Sequence, residues 1–308
     1  MGRRHKGLPI HGWMVIDKPA GMTSNAVVSQ ARRRTGAAKV GHGGTLDPLA
    51  TGLLPLAFGE ATKTVSYVMD GTKGYRFTVR WGIATETDDA EGAPVAESAV
   101  RPEETAIRDL LPQFVGDIDQ IPPIYSAIKV GGRRAYDLAR KDEVVDLAPR
   151  TVRIFSLDLV DQPDADHAVF ETCCGKGTYI RALARDLARA LGTEGHVAAL
   201  RRTRVGPFDE KDAISLENLE GFGHSAPAER HLLPVETALD DIPALALTEP
   251  EAARIRNGQA VALLPVAKRS SLETVEQGAT VCVLSGGKAV ALARVVGAEI
   301  RPSRVLNI

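Results

Sequence analysis

An α+β fold is what this chain predicts, because strand-like and helix-like segments mix along it without the strict β-α-β alternation of a parallel sheet. The pattern changes near residue 247, where brief apolar runs separated by glycines replace longer elements. A length of 308 residues also exceeds what one hydrophobic core usually organises, so two domains are expected.

In chain order, WMVIDK is a short apolar strand running into a Pro-Gly turn. Ser24 or Asn25 then stands where a cap is needed for a helix carrying Val27, Val28 and Ala31. Residues 41–52, GHGGTLDPLATG, are too glycine-rich for a regular element and form a shaped loop. In KGYRFTVRWG, Tyr75, Phe77, Val79 and Trp81 share one side at period two, with Arg76, Thr78 and Arg80 on the other, as in a half-buried strand. ATETDDAEG follows as an exposed acidic loop. Residues 101–116 suggest a helix, and IPPIYSAIKVGGRRAYDLARK a loop, a strand-like turn and a short basic helix. HAVFETCC reads as a strand, GKG as a tight turn and TYIRALARDLARALG as an amphipathic helix. Its apolar stripe is Ile180, Leu183, Ala184, Leu187 and Leu191, while Arg181, Arg185 and Arg189 lie four apart on another face. After Phe208 the chain turns acidic and helix-like (ISLENLEGF). A proline-spaced linker is expected over 231–246, and a β-rich domain with one short helix, PEAARIRNG, over 247–308.

Composition narrows the function classes. With 44% hydrophobic and 25% charged residues, the chain is a folded globular protein and not a disordered one. No apolar run approaches the roughly 20 residues that cross a bilayer, and the basic N-terminus lacks the apolar stretch of a secretory signal. Three cysteines, two of them adjacent (Cys173, Cys174), give no disulfide framework and no C-x-x-C spacing, so a reduced, cytoplasmic setting is expected. No His/Cys/carboxylate spacing suggests a metal, and no phosphate-binding, dinucleotide or nucleophile-elbow motif is present. Neither metal nor cofactor is expected.

The net charge of −1 conceals a segregation: residues 1–82 hold 12 basic and 4 acidic side chains, residues 83–120 hold 2 and 10. The basic residues cluster as Arg32-Arg33-Arg34, Arg133-Arg134 and Arg201-Arg202 with Arg204. Such clusters can neutralise phosphates, although most charge runs are simply solvated faces. A pI near 6.7 argues against generic coating of nucleic acid. RNA or DNA binding, if it occurs, is confined to one face.

A cofactor-free reaction built on a carboxylate is the chemistry that remains, and the loop offers Asp47. Proline at 48 holds Asp47 extended, and an Asp can act as a nucleophile or a general base. The same residues also describe an ordinary surface turn. An arginine beside a buried carboxylate keeps it ionised, and Arg181, at the start of its helix, is a plausible partner. On residue type alone Arg181 equally reads as a solvated helix-face arginine. Tyr75, Tyr179 and Leu200 equally read as core, and His42 as a loop histidine.

Taken together, VIDKPAGMTS, GHGGTLDPLATG, KGYRF, IPPIYSAIKVGGRRAYDLAR, GKGTYIRALARDL and HVAALRRTRVG, in that order over residues 10–208, closely resemble the TruB family of bacterial tRNA pseudouridine synthases. The C-terminal segment, above all ALARVVGAEIRPSRVL, more weakly resembles the PUA-like RNA-binding domain of that family. The resemblance implies a catalytic domain over residues 1–230 on a mixed, mainly antiparallel sheet with flanking helices, and a PUA-like domain over 247–308. It implies that Asp47 is the catalytic aspartate and that Tyr75 stacks on the base and takes part in the last deprotonation. Arg181 would pair with Asp47, and Tyr179 and Leu200 would line the uracil pocket. His42 would fill the place of the extruded nucleotide, and Lys18 would support the loop or the pocket. Position 43 departs from the family: Gly stands where Ala or Thr is more usual, which would loosen the loop beside His42.

The implied reaction converts the T-loop uridine at position 55 of tRNA into pseudouridine without a cofactor, with Asp47 attacking C1′, adding to C6 or acting as a base at C2′. The implied partner is the tRNA elbow, with no guide RNA, partner protein or membrane, and the protein is expected to be a monomer. Rival readings are a non-catalytic RNA-binding or tRNA-folding module, a base-excising glycosylase, and a modifying enzyme for another RNA. Mere binding would not require Asp47, Tyr75 and Arg181 together, a glycosylase would release free uracil, and the lack of an obvious extension for partner proteins favours stand-alone action over a guide-dependent reaction on another RNA.

Overall fold

The computed structural model describes residues 7–126, 128–139, 147–219, 231–270 and 276–308. Arg140 and Lys141, at the end of the expected basic helix, and the end of ISLENLEGF lie outside the described residues.

The chain runs β1 (Gly12–Lys18), α1 (Ser24–Thr35), β2 (Val40–His42), β3 (Thr51–Phe58), α2 (Val65–Asp70) and β4 (Lys73–Trp81). A small hairpin, β5 (Ile83–Thr85) and β6 (Pro94–Glu97), precedes α3 (Glu104–Leu110) and β7 (Gly116–Gln120). A second hairpin, β8 (Lys129–Val130) and β9 (Arg133–Arg134), leads into α4 (Ala135–Ala139). Then come β10 (Arg150–Asp164), β11 (His167–Cys174), α5 (Ile180–Ala190), β12 (Gly195–Val205), β13 (Phe208–Asp209) and β14 (Ala213–Ile214). The C-terminal part holds β15 (Ala244–Ala246), α6 (Glu249–Arg256), β16 (Val261–Ala262), α7 (Leu263–Arg269), β17 (Thr280–Ser285), β18 (Lys288–Val296) and β19 (Glu299–Val305).

The large sheet has the order β14-β1-β3-β12-β4-β11-β10-β7, with β2 added to β3 and β13 to β12. Only the β1–β14 and β3–β12 contacts are parallel, so the expected mixed, mainly antiparallel sheet is what forms. The period-two reading of β4 holds: Phe77, Val79 and Trp81 are buried, Arg76 and Arg80 exposed. Phe77 stacks on Phe170 of β11 with ring centroids 5.3 Å apart. Against this face α5 lays Ile180, Leu183, Ala184 and Leu187, and Leu46 and Ala50 of the glycine-rich loop join the same core. The loop and the start of α5 are therefore anchored in one hydrophobic body, which matters for the site.

Local signals were partly misread. The cap of α1 is Thr23, whose hydroxyl accepts from the N–H of Ala26, and not Ser24 or Asn25. Ser24 points inward and bonds Leu46 instead. The acidic segment 85–92 is no simple exposed loop, since Thr85 and Asp89 are buried. Strand alternation also breaks up the Arg201-Arg202-Arg204 cluster. Arg201 pairs with Asp17 and Glu210, while Arg202 enters the core at 2% exposure.

The five-stranded sheet β15-β17-β18-β19-β16, with α6 and α7, forms the β-rich C-terminal unit. Residues 231–246, expected as a linker, carry structure of their own. Leu233 pairs with Trp13 through both backbone groups, Val235–Leu239 form a 3-10 helix, and β15 enters the second sheet beside β17. Val235, Ala238 and Leu239 share a core with Trp13 and Leu53 on one side and Cys282, Leu292 and Leu306 on the other. Lys63 Nζ also donates to the carbonyl of Val305 at 2.7 Å.

Gly43 does not loosen the loop. It is buried, its N–H donates to the Pro55 carbonyl at 2.8 Å, and a Cβ there would lie 2.8 Å from Cγ1 of Val68. Gly43→Ala is therefore expected to cost about 1–3 kcal/mol of stability by overpacking. Combining it with Val68→Ala should cost less than the sum of the two single changes, as read by urea unfolding.

Candidate active site

Residues 41–52 have few apolar side chains, so the loop is held largely through its backbone. Lys18, wholly buried, donates from Nζ to the carbonyls of Pro19, Met22 and Pro48 at 2.7–3.1 Å. Ser24 Oγ donates to the Leu46 carbonyl at 3.0 Å and accepts from the Leu46 N–H at 2.8 Å. Arg202 donates to the carbonyls of Leu53, Thr45 and Gly44 at 2.8, 3.3 and 3.0 Å. Gly52 permits this closeness: its φ is +94°, and a Cβ would sit 2.2 Å from the Arg202 carbonyl oxygen. Two buried cations and one hydroxyl thus bind carbonyls of the loop and of the segments beside it.

From this loop Asp47 reaches the first turn of α5, where its Oδ2 meets Arg181 Nε at 3.0 Å. Among the described residues its Oδ1 has no hydrogen-bond partner, and the side chain keeps 38% exposure. Arg181 itself is 6% exposed; its other nitrogens donate to the carbonyls of Thr87 at 2.8 Å and Tyr125 at 3.0 Å. Asp89 lies 3.5 Å from Arg181 Nη1 and is 3% exposed. A cation in the first turn of a helix meets the positive end of the helix dipole, and α5 has no acid of its own there. Two loops supply the anions.

Of the other expected residues, Tyr75 and Tyr179 lie near enough to feel the charges of this pair. Tyr75 stands opposite Arg202 across the β4–β12 register. Burial pushes its phenol up, and the neighbouring Arg202 guanidinium opposes that. Leu200, 8% exposed, belongs to the core beneath the pair. Tyr179 precedes α5 and donates its N–H to Gln120 Oε1 at 2.8 Å; burial raises its phenol too. His42, half-buried at the end of β2, accepts the Gly44 N–H on Nδ1 at 3.3 Å. Burial, reinforced by Arg202, lowers its basicity, so the imidazole is neutral at pH 7. Among the described residues no three His, Cys, Asp or Glu groups are gathered as a metal ion would require.

With this geometry in view, the chain matches two family models. The N-terminal domain model of TruB family pseudouridylate synthases covers residues 32–180, and the C-terminal domain model of tRNA pseudouridylate synthase B covers 181–240. The chain is 57% identical to the tRNA pseudouridine synthase B of Rhodospirillum rubrum over 308 residues, all of both chains. It is 53% identical to that of Caulobacter vibrioides, again over all of both chains. The chain belongs to the TruB family. In structure it is similar to a chain of the Cbf5-Nop10-Gar1 complex, with TM-score 0.77, 24% identity and coverage of 96% of this chain and 85% of that one. A chain of an H/ACA RNP bound to a substrate RNA containing 2′-deoxyuridine gives TM-score 0.75 and 22% identity, covering 100% and 92%. These two show that the fold is shared.

Several groups in this TruB chain escaped the sequence reading. Asp89 looked like one acid of a solvated run, and Arg202 like part of a basic patch. Only period two along β12, which puts Arg202 on the face of Leu200, could have flagged the latter. Ser24 was taken for a cap. Lys73, opposite Cys174 on β11, is 7% exposed. It donates to the carbonyls of Met69 and Gly71 at the end of α2.

Burial pushes the Lys73 ammonium down from 10.5 to about 8. Between those values the unfolded chain holds the extra proton, so this group makes stability rise with pH across that window. The stability difference between wild type and Lys73→Met should therefore shift in favour of wild type from pH 7.5 to 10, measured by urea unfolding. No shift would mean that Lys73 keeps its ordinary basicity.

Proposed function

We propose that the chain is a tRNA pseudouridine synthase that converts the T-loop uridine at position 55 into pseudouridine with Asp47 as the acting carboxylate. The observation that carries this reading is the Asp47–Arg181 contact, which leaves one carboxylate oxygen open in a half-exposed site. An open oxygen beside a buried arginine is what a carboxylate needs in order to act on a substrate. Family membership at 57% identity over the whole chain supports the same activity.

In this reading the target nucleotide leaves its stack, which costs a few kcal/mol. His42, being neutral, fills the gap without carrying an unpaired charge into it. The uracil enters between Tyr75, Tyr179 and Leu200. Asp47 acts on the nucleoside while Arg181, held by Asp89 and two carbonyls, keeps the carboxylate aimed. The N1–C1′ bond breaks, the base turns within the pocket, C5 bonds to C1′, and the C5 proton leaves. Tyr75 keeps its own proton at neutral pH, so it can take the C5 proton only by handing its own on; the Asp47 carboxylate lies within its electrostatic reach. In this reading Lys18 supports the loop, donating to the carbonyls of Pro19, Met22 and Pro48.

The division into a catalytic unit over 1–230, a connecting stretch over 231–246 and a PUA-like RNA-binding unit over 247–308 belongs to the same reading. So do action as a monomer on tRNA without a guide RNA or partner protein, and a cytoplasmic location. Among the described residues no helix is long and apolar enough to cross a membrane.

Asp47→Asn is expected to lower pseudouridine formation by about 10³-fold or more while tRNA binding persists. The product is mapped on a tRNA transcript by carbodiimide treatment and primer extension, and wild-type turnover would reject the assignment. Arg181→Met should depress catalysis more than binding. Equal losses in both would make Arg181 a phosphate contact, and release of free uracil would favour a glycosylase.

A further inference from the structure

We propose that Arg185 and Asp88 form a positioning pair, holding the acidic turn and the 121–126 segment where they fix Arg181 against Asp47. The inference rests on Asp47 being the acting carboxylate. Arg185 follows Arg181 by one turn of α5 and is 12% exposed, with Asp88 at 15%. Every nitrogen of its guanidinium is engaged. Nη1 meets Asp88 Oδ2 at 2.9 Å, Nε meets Asp186 Oδ1 at 3.0 Å, and Nη2 donates to the Ile121 carbonyl at 2.7 Å.

Arg181 bridges the same two segments through the carbonyls of Thr87 and Tyr125. The two arginines, one turn apart, thus make two rungs between the same loops, and only the first rung touches Asp47. Any drift of the loops at the second rung moves the acceptors that orient the first.

Asp88 adds a second observation. Among the described residues it is the one non-glycine with positive φ, at +59°. That left-handed conformation costs an L-residue about 1–2 kcal/mol, although Asp tolerates it better than most. It is held from both ends. The Asp88 carbonyl accepts the N–H of Val197 at 3.0 Å, and the Asp88 side chain takes Arg185. The left-handed residue lets neighbouring acids serve different arginines, Asp88 turning to Arg185 and Asp89 to Arg181. Burial pushes the Asp88 carboxyl up and Arg185 opposes this, as in a pair with little access to water.

A displacement on the scale of 1 Å at a reacting group can cost about 10²-fold in rate. The pair therefore acts on turnover and not on RNA affinity. The test compares wild type with Arg185→Met, Asp88→Gly, their double variant, Asp88→Asn and Asp47→Asn. Steady-state kcat and KM and single-turnover rates are measured on an unmodified tRNA transcript. Asp88→Gly keeps the left-handed turn without strain and removes only the carboxylate, so it remains informative if Arg185→Met does not fold. Arg185→Met and Asp88→Gly should each lose about 10-fold or more in kcat with KM within about 2-fold of wild type. The double variant should fall no further than the worse single one, because each change breaks the same contact. Asp88→Asn, which tolerates the turn and still offers Arg185 an acceptor, should recover most of the rate.

Wild-type kcat in Asp88→Gly overturns the proposal. So does a loss confined to KM, which would make Arg185 an RNA contact, or multiplicative losses in the double variant. If Asp47→Asn stays active, the catalytic reading fails and this inference with it. If Asp47→Asn is dead while Asp88→Gly turns over normally, the pair alone is rejected.

Discussion

A guanidinium buried at the head of a helix has to be matched by anions and carbonyls brought from elsewhere in the chain, and that requirement organises the centre of this molecule. Arg181 draws Asp47 from the glycine-rich loop, Asp89 from the acidic turn, and carbonyls from Thr87 and Tyr125. Removing water from such a cation is costly unless every donor finds a partner. Segments far apart in sequence are therefore tied to one point, and the carboxylate that pairs with Arg181 is left with a free oxygen.

The glycine-rich loop solves a related problem with the opposite charge balance. Three of its backbone carbonyls, those of Gly44, Thr45 and Pro48, accept from buried cations. Lys18 and Arg202 donate to six carbonyls between them, and Ser24 closes the Leu46 peptide on both sides. Glycine at 52 lets β3 and β12 touch closely enough for this to work. The result is a loop held by hydrogen bonds to buried side chains and by Leu46, Leu49 and Ala50 packed against the core.

The charge pattern acquires a different meaning in three dimensions. The acidic stretch after β4 supplies partners to Arg181 and Arg185 of α5, and one of the three arginines of the basic cluster on β12, Arg202, is internal. The acidity of the second segment is thus partly spent on arginines about a hundred residues further along the chain. Arg201 is committed to Asp17 and Glu210, which leaves shape a larger share in recognition of a folded RNA.

The sequence by itself determined the fold class, the strand face of Tyr75, Phe77 and Trp81, and the apolar stripe of α5. These depend on local periodicity, which survives in any context. It also singled out Asp47 and Arg181, because a resemblance carried in six ordered motifs marks positions directly. Tertiary structure alone decided that Asp89, Asp88, Arg185, Arg202 and Ser24 belong to the same network. Each is a polar residue whose role is set by burial and by partners from distant segments, and apart from the period-two position of Arg202 on β12 residue type gives no sign of that burial. Thr23 against Ser24 shows the limit at one residue: both can cap a helix, and only the inward turn of Ser24 toward Leu46 settles which one does.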